Sequence, residues 1–107
     1  MNKEDLIVQW AKKTGLTKKD SKEALESLTS LITDTLSRGE EVRITGFGKF
    51  SPRGRKSSMR INPQTRQRMR VAARVVPTFK PGKNLREQLE SRLTAVESSG
   101  KVRVKRR

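Results

Sequence analysis

Between Arg53 and Arg74 the chain reads RGRKSSMRINPQTRQRMRVAAR, and no other stretch limits its fold so strongly. Eight cations lie in it: Arg53, Arg55, Lys56, Arg60, Arg66, Arg68, Arg70 and Arg74. It holds no carboxylate, and the nearest ones on either side are Glu41 and Glu87. In its second half Arg66, Arg68, Arg70 and Arg74 share one parity, while Met69, Val71, Ala73 and Val75 take the other. A period of two is the mark of a strand, because successive side chains point to opposite faces. The centre, Asn62-Pro63-Gln64-Thr65, supplies turn chemistry: Asn favours turn initiation and Pro63 presets φ. The stretch reads as a two-stranded ribbon with arginines on one face and Pro63 at its tip.

A four-residue tip pairs Ile61 with Arg66. Arg53 then falls opposite Arg74, Ser57 opposite Arg70 and Met59 opposite Arg68, which gathers arginines 53, 55, 66, 68, 70 and 74 on one face. Like charges opposite one another destabilise a ribbon, and an isolated two-stranded hairpin is marginal in water. Such an arm is mobile until a polyanion neutralises it. A one-residue slip would scatter the arginine face.

The charge of the whole chain is concentrated there. Lys and Arg total 26 against 11 acids in 107 residues, a net charge of +15. Residues 1–45 balance to zero, residues 46–86 carry cations alone, and residues 87–107 are again basic. A neutral part joined to a strongly basic part suggests a scaffold that presents a cationic surface to a polyanion. Cysteine and histidine are both absent. Disulfides, thiolate metal sites and cysteine nucleophiles are thereby excluded, and so is the commonest general base. No metal, cofactor or small-molecule substrate is implied. No apolar run approaches a membrane span or signal peptide, which fits an intracellular protein. Hydrophobic residues make up only 31 % of the chain. A body of roughly 70 residues outside the ribbon and tail is too small for a comfortable core. It is expected to borrow core from a partner subunit.

Asn2 caps a first helix that carries Leu6, Ile7, Trp10 and Ala11 at helical spacing and ends near Gly15. Trp10 reads as core rather than as a base-stacking platform. Thr17 opens a second helix, running to Arg38 and stopped by Gly39. Its stripe of Ala24, Leu25, Leu28, Leu31, Ile32, Thr35 and Leu36 suits packing against a copy of itself. Val42 to Thr45 alternates as a strand, and the glycines of Gly46-Phe47-Gly48 mark a tight turn that directs Phe47 inward. Phe47, Phe50 and Phe79 are the expected core that anchors the ribbon. Residues Thr78 to Asn84 link to a last helix, with Leu85, Leu89 and Leu93 on one face. Lys80, Lys83 and Arg86 gather at its start, where cations oppose the helix dipole and free N–H groups suit a phosphate. From Ser98 the chain reads SSGKVRVKRR, expected to be a disordered basic tail.

Three motifs in this order carry a resemblance: Thr45-Gly46-Phe47-Gly48-Lys49-Phe50, Asn62-Pro63-Gln64-Thr65, and Pro77-Thr78-Phe79-Lys80-Pro81-Gly82-Lys83. The chain resembles the bacterial histone-like DNA-binding proteins, HU and integration host factor, over about residues 1–93. The resemblance implies an α+β fold: an intertwined dimer with a helical base, an antiparallel sheet saddle, two long β-ribbon arms and a C-terminal helix. It implies arms that wrap double-stranded DNA through the minor groove, with Pro63 wedged between base pairs, and a place in the cytoplasm on the nucleoid. Ile61 stands where the family commonly has Arg, and Arg66 where it commonly has Gly, a residue tolerant of positive φ.

The combined expectation is a non-catalytic architectural protein that wraps, bends and compacts duplex DNA with little sequence specificity. Residues 1–96 form its DNA-binding domain, the arm spans 53–74, and residues 97–107 are the tail. The DNA contacts are Lys3, Arg53, Arg55, Lys56, Arg60, Ile61, Asn62, Pro63, Gln64, Arg66, Arg68, Arg70, Arg74, Lys80, Lys83 and Arg86. The dimer core is Leu28, Leu31, Ile32, Leu36, Ile44, Phe47, Phe50 and Phe79. A homodimer is the simplest assembly, and a heterodimer with a paralogue meets the same need. The rival readings are a sequence-preferring bender like integration host factor, an RNA-binding protein and a nuclease. The last two lack, respectively, an aromatic stacking platform and acids to hold metal in the basic half.

Overall fold

Reciprocal hydrogen bonds start the first helix, α1 (Lys3–Thr14). Asn2 Oδ1 accepts from the Asp5 N–H at 2.9 Å, and the Asp5 carboxylate accepts from the Asn2 N–H at 3.2 Å. Gly15, at φ 78°, ends it in the left-handed region and donates to Ala11 O. Thr17 caps α2 (Lys18–Ser37), its hydroxyl accepting from Asp20 N–H at 3.1 Å. Twenty residues make α2 about 30 Å long, and it packs against α1 and the first two strands.

The computed structural model describes residues 1–107. After α2 come β1 (Val42–Ile44), β2 (Gly48–Arg55), β3 (Ser58–Ile61), β4 (Arg68–Val71) and β5 (Arg74–Pro81), then α3 (Lys83–Arg92) and the strands β6 (Leu93–Ser98) and β7 (Lys101–Arg106). All pairings are antiparallel. β1, β2 and β5 form one sheet in the order β1-β2-β5, whereas β3–β4 and β6–β7 are separate ribbons. The fold is α+β, as expected.

Register divides the main sheet into two faces. Directly opposed residues share a face, so Val42, Phe50 and Phe79 form one row. The next row, Arg43, Lys49 and Lys80, points the other way. On the apolar side the Phe79 ring lies 4.8 Å from that of Phe50 and 5.3 Å from that of Phe47. The three phenylalanines thus meet as the sequence suggests. Gly48 makes the cluster possible: a Cβ there would sit 2.6 Å from the Phe79 ring and 2.8 Å from Lys80 O. The turn before it closes through Phe47 N–H to Ile44 O, with Gly46 at φ 87°. Gly82 N–H donates to Phe47 O at 2.8 Å and ties that turn to the start of α3.

The chain has little interior of its own. Ile7, Ser21 and Gly48 are its buried residues. Leu28, Leu31, Ile44, Phe47 and Phe79 are exposed, Leu31 by 60 %. Ile32, Leu36 and Phe50 are half-buried. The radius of gyration is 19.1 Å, against about 13 Å for a compact domain of this length. One side of α2 and the edge of the phenylalanine cluster form an apolar surface that nothing in the chain covers.

Two expectations fail at the C-terminal end. Leu93 is not on the last helix beside Leu85 and Leu89, because α3 stops at Arg92 and Leu93 is extended, at φ −126° and ψ 156°. Residues 97–107 are not a disordered tail, and a boundary at 96/97 falls inside β6. β6 and β7 form a hairpin whose two-residue loop, Ser99-Gly100, has φ of 51° and 78°. Positive φ at both loop residues suits the twist of a two-residue hairpin. Val102 and Val104, alternating with Lys101, Arg103 and Lys105, give β7 the period of a strand.

Gly48→Ala is expected to cost about 1–3 kcal/mol, the usual penalty of overpacking, and to lower the thermal midpoint followed by circular dichroism. Gly54→Ala, where an added Cβ meets nothing within 4 Å, should change stability by no more than about 1 kcal/mol.

Candidate nucleic-acid interface

The ribbon is built in two segments on one register. In the lower segment Arg55 pairs with Arg74 and Arg53 with Val76. In the upper segment Ile61 pairs with Arg68, Arg60 with Met69, Met59 with Arg70 and Ser58 with Val71. Lys56-Ser57 and Ala72-Ala73 interrupt both strands at the same level. The expected pairing of Ile61 with Arg66 and Met59 with Arg68 is therefore wrong by two residues on the return strand. A shift of two preserves parity, so Arg68 and Arg70 stay on the same side of the ribbon as Met59 and Ile61.

The tip accounts for the shift. Asn62 Oδ1 accepts from Gln64 N–H at 2.9 Å, Asn62 O from Arg66 N–H at 2.7 Å, and Gln67 O from Asn62 N–H at 2.9 Å. This network closes a six-residue loop, Asn62–Gln67, in place of a four-residue one. Arg66 sits at φ 57°, in the left-handed region that costs a non-glycine residue energy. Pro63 and Gln64 are exposed at the end of the ribbon, and the side chain of Ile61 behind them is 65 % exposed.

None of the eight ribbon cations forms an ion pair within the chain; every ion pair lies elsewhere. Arg55 and Arg74 face each other directly, an arrangement that repels unless an anion lies between or above them.

A second cationic region lies at the base. Lys80, Lys83 and Arg86 come together as expected, around an open cleft of about 400 Å³. Arg43 and Lys49 line the same cleft, and sequence reading missed both. Each lies in a separate short segment, and only the β1-β2-β5 register sets Arg43, Lys49 and Lys80 in a row. Glu41 offsets part of this charge, at 3.7 Å from Arg43 and 3.6 Å from Lys49. Gly82 begins α3 without a side-chain cap, and its first turn has no acid. The start of α3, with no side-chain cap, thus lies at the edge of a cationic cleft, a setting suited to a phosphate. Lys3 stands apart, bonded to Glu26 of α2 at 3.1 Å. That pair is exposed and holds the lysine only weakly. Trp10 is half-buried on α1, as a core residue would be.

Comparison with known proteins gives this geometry a family. A family model described as "Bacterial DNA-binding protein" matches residues 1–90. DNA-binding protein HU of Lactococcus lactis is 46 % identical over 89 residues, covering 83 % of this chain and 98 % of that protein. DNA-binding protein HU of Thermotoga maritima is 44 % identical over 90 residues, covering 84 % of this chain and all of that one. Among solved structures, the Anabaena HU–DNA cocrystal structure superposes with a TM-score of 0.78 at 38 % identity, over 82 % of this chain and 96 % of that one. Fold, motifs and cationic ribbon agree with these matches along nearly the whole length of the relatives, and the chain belongs to the bacterial DNA-binding protein family that includes HU.

Proposed function

We propose that the chain works as a homodimer that binds duplex DNA with little sequence preference and bends it between two ribbon arms, as a structural component of the nucleoid rather than as a catalyst. The observation that carries this reading is the ribbon: eight cations without an intrachain partner, leading to an exposed proline. The uncovered apolar side of α2 and the phenylalanine cluster support a second copy as the missing half of the core. No helix is long and apolar enough to cross a membrane.

Division of labour follows from the chemistry of each residue. Arg53, Arg55, Lys56, Arg60, Arg66, Arg68, Arg70 and Arg74 neutralise phosphates and reach the narrow minor groove. Ile61, Asn62, Pro63 and Gln64 form the tip, and Pro63, with no charge and no N–H, serves as the wedge. Lys80, Lys83 and Arg86 hold the flanking duplex at the start of α3, and Lys3 adds a weaker contact. Bending a site of 20–30 base pairs costs on the order of 1–6 kcal/mol. The additional phosphate contacts that bending brings within reach of two arms offset it.

Salt dependence tests the charge component. With about 8–10 phosphates contacted by the arms and flanks of a dimer, those contacts should contribute about −7 to −9 to the slope of log K against log salt. Arg68→Gln with Arg70→Gln should make that slope shallower by about 3–4 in the dimer. An unchanged slope would remove the arms from the backbone.

Pro63→Ala tests the wedge. Unstacking a base step costs about a few kcal/mol, and nicked duplex has already lost part of that resistance. The variant should bind intact linear duplex more weakly, bind nicked duplex nearly as well as the parent, and bend linear DNA less by energy transfer between its ends. Full bending by the variant would leave Pro63 as a turn former only.

A further inference from the structure

We propose that the β6–β7 hairpin is a second duplex-binding ribbon, whose Lys101, Arg103 and Lys105 meet the phosphate backbone beyond the reach of the arms. This rests on the DNA-binding reading above and extends it to a segment outside residues 1–90, the part matched by the family model. The HU proteins of L. lactis and T. maritima are matched over 98 % and 100 % of their lengths within 89 or 90 aligned residues.

The register makes the hairpin two-faced. Lys105 opposes Thr94, Arg103 opposes Val96 and Lys101 opposes Ser98, so three cations share one face. The acid of the hairpin, Glu97, opposes Val102 on the other face. None of the three cations has an ion-pair partner in the chain. Residues two apart on a strand are about 6.8 Å apart, which is also about the rise of two nucleotides along one DNA strand. Two copies of such a face would repel each other, so a polyanion is the fitting occupant.

The hairpin is held rather than loose. Arg107 Nε donates to Glu90 O at 2.8 Å and Leu93 O at 2.9 Å, and Arg107 N–H donates to Arg92 O at 2.9 Å. These bonds satisfy carbonyls that α3 leaves open at its end and put a cation at the negative pole of its dipole. The same helix begins at the cationic cleft. Its ten residues span about 15 Å, and each six-residue strand of the hairpin is itself about 20 Å long, roughly the length of six base pairs. The hairpin is thus anchored to the far end of the helix whose start lines that cationic cleft.

The test is the full-length protein with Lys101→Gln, Arg103→Gln and Lys105→Gln together, which leaves the Ser99-Gly100 turn, the valines and Arg107 in place. Its affinity for a duplex several helical turns long is titrated by anisotropy at a series of salt concentrations. The Arg68→Gln/Arg70→Gln protein is measured in parallel. The expected result is a slope shallower than the parent's by about 2–3 per chain, with the bend reported by energy transfer unchanged. A parental slope in the hairpin variant, beside a flattened slope in the arm variant, would overturn the hairpin contact and leave the arm reading standing. Parental slopes in both would overturn both. A loss of affinity equal at all salt concentrations, or a changed sedimentation coefficient, would assign the hairpin to folding or assembly and overturn the proposal as well.

Discussion

The proposed assembly depends on one apolar surface that the chain leaves uncovered. Leu28 and Leu31 on α2, with Ile44, Phe47 and Phe79 on the sheet, are exposed in a chain whose buried residues are Ile7, Ser21 and Gly48. Leaving such side chains in water forfeits about 1.5–3 kcal/mol for each that could be fully buried. A domain's net stability is itself only about 5–15 kcal/mol. A second copy meeting the first through this surface, as proposed above, would supply the missing half and fix two ribbons to one base.

The sheet links that core to the candidate interface through a single register. The row Val42, Phe50, Phe79 points to the core, and the row Arg43, Lys49, Lys80 points away from it. The same β2–β5 pairing that stacks Phe50 on Phe79 carries Arg55 opposite Arg74 further up the ribbon. A slip of one residue would expose the phenylalanines and bury the cations together. Gly48 guards against that error, since the Phe79 ring occupies the space a side chain there would need. Stability of the base and placement of the cationic face are therefore one requirement.

How much of this was legible in the sequence varied with the range of the interaction. Caps at Asn2, Gly15 and Thr17 are local and were readable, as were the strand period of the ribbon and the meeting of three phenylalanines. The ribbon's parity was readable from Arg66 to Arg74, but its register was not. That depended on Asn62 accepting from both Gln64 and Arg66, which adds two residues to the loop. Arg43 and Lys49 were missed because their proximity to Lys80 is created by strand pairing alone. The β6–β7 hairpin was missed for a different reason: charge content masked a pattern that was present. Ser99-Gly100 is a turn dipeptide, and Lys-Val-Arg-Val-Lys after it alternates as a strand does.

If two chains complete one core, their folding and pairing are one event. Urea unfolding, followed by circular dichroism at protein concentrations spanning a hundredfold, tests it directly. For a coupled dimer a hundredfold rise in concentration adds about 2.7 kcal/mol to apparent stability by mass action. With a slope of about 1–3 kcal/mol per molar urea, the midpoint should move upward by about 1–3 M. A midpoint that stays fixed across that range would mean that each chain folds alone and that no second copy completes its core.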